Sequence, residues 1–153
     1  MADTGVSSVL NDLIQTAKDG EEGFRHAAQE ASDTSLKQLF AKYASQRNEF
    51  VQELQRLVQS TGGKPAHSGH ISATLHRGWM TLKDKISKPN DRALIEECER
   101  GEDAAKRNYE EAINKSLPPE LKTIVERQYA GVQEAHGTIR NLKYSGRTSV
   151  ATT

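Results

Sequence analysis

Thr61-Gly62-Gly63-Lys64-Pro65 opens, and Lys88-Pro89-Asn90-Asp91 closes, a long connection in the middle of this chain. Glycine just past an apolar stripe, with proline soon after, is a helix-stop signal. Asn90 or Asp91 behind Pro89 is a helix-start signal, because a short polar side chain can accept from the first free N–H groups. Upstream of the connection, Phe40, Ala44, Arg47, Val51, Leu54 and Val58 alternate in steps of four and three. Further upstream, Leu10, Ile14, Ala17, Glu21, Phe24, Ala28 and Ala31 keep the same rhythm, and Ser32-Asp33-Thr34-Ser35 separates the two stripes. Downstream come Ile95, Cys98, Glu102, Ala105, Tyr109 and Ala112, then Leu121, Val125, Gln128, Val132, Ala135 and Ile139, divided by Leu117-Pro118-Pro119-Glu120. This is the repeat of helices that bury one face. No run alternates in the two-residue period of a strand.

The fold class is therefore all-α. Helices are expected over about 6–32, 35–61, 91–116 and 118–143, in a single domain spanning 1–144, with a flexible polar tail over 145–153. A bare loop longer than about 15 residues is rare inside a compact domain. The central connection carries Ile71, Leu75, Trp79, Leu82 and Ile86 at helical spacing, which predicts a short amphipathic helix over about 70–86. Short loop, long crossover, short loop is the connectivity of a ferritin-like four-helix bundle made of two αα-hairpins. A shift of 81 residues lays Gly20-Glu21 on Gly101-Glu102, Val51 on Val132 and Val58 on Ile139, so the two hairpins read as an internal duplication.

Composition excludes several classes. The 21 Lys+Arg balance 21 Asp+Glu, which leaves no excess charge for a nucleic acid or an anionic membrane. No apolar run approaches the roughly 18–20 residues of a membrane span, and the start Met1-Ala2-Asp3-Thr4-Gly5 carries no secretory pattern. The single Cys98 excludes an internal disulfide and reads as a small core residue. The expectation is a cytoplasmic protein without nucleic-acid or membrane partners, able to form a homodimer.

Polar residues on the apolar stripes are the informative feature. Glu21, Arg47, Glu102 and Gln128 all fall where a side chain should point inward, with Gln46 beside Arg47. A carboxylate out of water costs several kcal/mol unless it is paired, protonated or bound to a cation. The duplication would set Glu21 and Glu102 face to face, with one guanidinium between two acids. Two readings follow. One is a buried Glu/Arg/Gln ion-pair network that fixes helix register, in a non-enzymatic protein. The other is a site between the helices: iron or zinc held by Glu21, Glu102 and His136 with Glu53 or Glu49, serving oxidoreductase or metal-storage chemistry, or a small-ligand pocket closed by the Trp79 helix. A di-iron bundle needs Glu-x-x-His on two of its helices. Here Glu53 is followed at that spacing by Arg56 and Glu134 by Gly137, and only Gln133-x-x-His136 comes near. His67, His70 and His76 cluster in the crossover, a pattern that fits a surface loop before it fits a metal site. Trp79 reads as the anchor of the crossover helix. Tyr109 and Tyr129 read as core aromatics with hydroxyls near the polar layer.

The segments Lys18-Asp19-Gly20-Glu21-Glu22-Gly23-Phe24, Gln46-Arg47, His76-Arg77-Gly78-Trp79, Glu97-Cys98-Glu99-Arg100-Gly101-Glu102-Asp103 and Glu126-Arg127-Gln128 resemble, in the same order, a bacterial ferritin-like family known only as a domain of unknown function. The resemblance covers about residues 6–143. It implies a ferritin-like bundle in a bacterial cytoplasm and carries no activity with it; a stress-linked role is suggested by fold analogy alone. Relative to metal-loaded ferritins and rubrerythrins, both Glu-x-x-His positions are missing.

Overall fold

A computed structural model describes residues 4–63 and 90–152, with side chains over 5–63 and 90–144. Four helices make an all-α four-helix bundle: α1 Thr4–Glu30, α2 Thr34–Ser60, α3 Asp91–Ile113 and α4 Pro119–Thr152. Helices α1 and α2 pack as one hairpin and α3 and α4 as another, while α1 lies against α3 and α2 lies more loosely against α4. The pairs α1/α4 and α2/α3 are thus the diagonals. The crossover helix expected over 70–86, with His67, His70, His76 and Trp79, lies outside the described residues.

Local chemistry explains the ends. The Asp33 carboxylate caps α2 by accepting from the Leu36 N–H at 2.9 Å, and Asn90 caps α3 by accepting from the Ala93 N–H at 2.7 Å. Gly62, at φ 85°, takes the left-handed turn that leaves α2. Pro119 opens α4, where its missing N–H costs nothing. Helix α4 runs on to Thr152, past the end expected near 143. No proline follows Pro119, and a lone helical glycine such as Gly146 costs only about 1 kcal/mol.

One carboxylate ties the two hairpins together. Asp91, in the first turn of α3, accepts from the backbone N–H groups of Ser32 at 2.7 Å and Asp33 at 3.0 Å. It thereby holds the α1–α2 turn against the start of the second hairpin. Asp91→Ala should lower unfolding free energy by about 1 kcal/mol, read as a lower urea midpoint at unchanged slope.

The interior has two apolar compartments. Leu10, Leu13, Ile14, Leu54, Val58, Tyr109 and Val125 belong to one. Phe24, Ala27, Phe40, Tyr43, Leu94, Cys98 and Ile139 belong to the other. On α1, α2 and α3 the change-over falls at Gly20, Arg47 and Glu102 respectively. The polar residues form a floor between two hydrophobic rooms.

Candidate functional site

Arg47 and Glu102 are 1% and 0% exposed. Arg47 Nη1 donates to Glu102 Oε2 and Nη2 to Glu102 Oε1, each at 2.6 Å. This two-pronged pair spans the α2/α3 diagonal at mid-height. Arg47 Nε donates to Gln46 Oε1 at 3.1 Å, so each of the three guanidinium nitrogens makes a hydrogen bond. Its faces are covered too: the Phe24 ring centre lies 5.3 Å from Cζ and the Phe50 ring centre 5.9 Å. Burial by itself would weaken the Arg47 charge, but the charge and hydrogen bonds of Glu102 outweigh it and raise its pKa above the ordinary value. Glycine permits this approach. A Cβ built on Gly20 would meet Arg47 Nη1 at 3.1 Å, so α1 offers the guanidinium a bare backbone.

Gln128 forms a second arm of the layer. It is 0% exposed. Tyr109 Oη donates to its Oε1 at 2.7 Å, and its Nε2 donates to Glu53 Oε1 at 2.7 Å. Glu53 is half-buried and also pairs with Arg127. Burial pushes the Tyr109 hydroxyl well above its ordinary range, so it stays protonated and donates. Cys98 sits beneath this layer, its thiol pushed well up by burial and then by the Glu102 charge. That is the state of an inert core thiol.

Several expected positions fall elsewhere. Glu21 does not take Arg47; it accepts from Asn48 Nδ2 at 3.1 Å and pairs with Arg25, on the outer side of the first hairpin. The reason is helical phase. Gly20, not Glu21, occupies the inward position of α1, and one residue turns a side chain by about 100°. The two acids equated by the duplication are thus treated differently: Glu102 is enclosed and Glu21 lies in a surface groove. Tyr129 is displaced as well. Its hydroxyl donates to Glu110 at 2.5 Å near the surface, which raises its pKa to about 12. His136 is buried, but its Nε2 lies 2.6 Å from Asp103 Oδ1, not beside Glu102. Glu49 is exposed on α2.

The His136–Asp103 contact joins α4 to α3, and no spacing along a single helix announces it. Asp103 follows Glu99 by one turn on α3, and Glu99 accepts from Lys143 of α4 at 2.9 Å. That face is where the second hairpin zips shut.

The carboxylates needed for an iron or zinc centre are already committed. Glu102 is taken by Arg47, Glu21 by Arg25 and Asn48, and Glu53 by Arg127 and Gln128. Among the described residues no three His, Cys, Asp or Glu side chains converge as a metal-holding group. Among the described residues, no helix is long and apolar enough to cross a membrane.

Comparison with known proteins places this geometry. Residues 5–115 match a family model described as a domain of unknown function, DUF2383. No curated protein matches the chain. Among solved structures, the bacterioferritin-related protein of Bacteroides fragilis, described as a dodecameric thioferritin, superposes with a TM-score of 0.74 at 15% identity, over 97% of this chain and 90% of that one. The four helices, their connectivity and the family match agree: the chain belongs to the DUF2383 family and has the ferritin-like four-helix fold.

Proposed function

We propose that this protein is a non-enzymatic structural or interaction module, a ferritin-like bundle whose centre is a permanent ion pair in place of a metal site. One observation carries the reading: both terminal nitrogens of Arg47 are spent on both oxygens of Glu102. A guanidinium supplies the positive charge that the buried carboxylate requires, and its fork matches the carboxylate geometry. Gln46, Gln128 and Tyr109 use up the neighbouring polar valences. A cytoplasmic location and self-association belong to the same proposal.

The test is metal content and metal response. Freshly purified protein should carry negligible iron and zinc, and adding either ion should leave the melting temperature unchanged. A ligand that binds the folded state at 100 times its Kd would add about 2.7 kcal/mol, an easily seen shift. A stoichiometric rise in melting temperature, lost in Glu102→Ala or Glu21→Ala while the helical signal survives, would replace this reading with iron or zinc binding and its oxidoreductase or storage chemistry.

A further inference from the structure

Two polar side chains of α1 are buried on the side of the helix turned away from the core. Gln15 stands nine residues before Phe24, and Asp19 nine residues after Leu10. Nine residues are two and a half turns, so each points away from a core side chain. Yet Gln15 and Asp19 are only 4% and 3% exposed. On α3, Ala104 stands nine residues after the core residue Ile95 and is only 5% exposed. Asn108 Nδ2 of α3 donates to Thr16 Oγ1 of α1 at 3.1 Å, and Asp19 and Ala104 each lie about one turn from that bond in the same direction. Helices α2 and α3 pack on α1 on either side of its core stripe. The cover over this outer α1–α3 face therefore comes from another part of the chain. Gln15 Nε2 donates to Asp19 Oδ1 at 3.3 Å, while Gln15 Oε1 is buried with no hydrogen-bond partner among the described residues. A carboxylate so enclosed calls for a cation.

The ends of the crossover, residues 64–89, say which part. At one end the Thr61 hydroxyl lies 3.3 Å from that of Ser7; at the other, Asp91 accepts from the Ser32 N–H. The two ends of the segment thus stand at opposite ends of α1, about 38 Å apart at 1.5 Å per residue. The middle of the segment is His76-Arg77, and the middle of that stretch of α1 is Asp19-Gly20. The charges match as well. Residues 64–89 hold five Lys and Arg against the single Asp84, in a chain of zero net charge, so the remainder of the chain is net acidic. We propose that the crossover lies along the outer α1–α3 face, with the Arg77 guanidinium on the Asp19 carboxylate and the apolar stripe around Trp79 against Ala104. The inference is independent of what occupies the bundle centre and does not rest on the proposed function.

The test is the fluorescence of Trp79, the chain's one tryptophan, which reports on this segment alone. In the full chain its emission should be blue-shifted relative to the urea-unfolded protein and only weakly quenched by acrylamide. Asp19→Ala and Arg77→Ala each strand one buried charge, and each should raise the quenching at least about twofold while the far-ultraviolet helical signal remains. Exchange of the pair, D19R/R77D, should recover most of the protection. Glu22→Ala, on the same side of α1 but exposed, should change nothing. Should Asp19→Ala fail to fold, Asp19→Asn, which keeps the shape and removes the charge, reads the same contact. Trp79 quenched as freely in the native protein as in urea would overturn the docking. Protection unchanged in Asp19→Ala, Asp19→Asn and Arg77→Ala would overturn the Arg77–Asp19 pair, and so would single-variant losses that the exchange does not rescue.

Discussion

Arg47→Ala should lower the unfolding free energy by about 3–5 kcal/mol, enough to melt many domains of this size near physiological temperature. The loss has two sources. The smaller is the space left between Phe24 and Phe50, which flank the guanidinium. The larger is Glu102, which stays 0% exposed and loses the donors to both of its oxygens. An uncompensated buried charge costs far more than the pair gained by forming. Replacing both partners with apolar residues, as in R47M/E102L, should recover most of the stability. Urea titration of the three proteins separates these contributions. A loss below about 1 kcal/mol for Arg47→Ala would show that water reaches Glu102. Failure of the double variant to recover would show that packing, not charge, dominates the layer.

Phe24→Ala should cost about 3–5 kcal/mol as well. The ring is fully buried, stands 6.2 Å from the Phe40 ring and 5.3 Å from the Tyr43 ring, and covers one face of Arg47. Removing it opens a cavity in one apolar compartment and exposes the guanidinium to that cavity. The effect should therefore not add to that of Arg47→Ala. A double-mutant cycle is expected to give a coupling of about 0.5–3 kcal/mol. Additivity within about 0.3 kcal/mol would mean that ring and guanidinium are energetically separate despite their contact.

The positions of Arg47, Glu102 and Gln128 on their stripes were sufficient to read their burial, because each lies between apolar neighbours at steps of three and four. Glu21 shows the limit of that rule. Its neighbours at Ala17 and Phe24 also fit, but so do those of Gly20, and a glycine carries no hydropathy with which to claim the inward position. Only the bulk of Arg47, arriving from another helix, decides between them. His136 failed for a related reason: its partner Asp103 stands on α3, and no spacing along one helix can report a contact made between two. The helix starts were legible because Asp33, Asn90 and Pro119 act locally. The end of α4 was not, because no proline or other strong stop signal stands near residue 143.

The fixed cation at the centre sets how this molecule answers its surroundings. A guanidinium tied to the chain does not exchange, is not stripped by chelators and has no second oxidation state. The interior should hold the same shape in iron-rich and iron-starved cells, and under reducing or oxidising conditions. Under the proposed function, loading of the bundle centre with ions is not a signal this protein uses. Any response of the protein to its environment must be written on its outer faces, where it meets its neighbours.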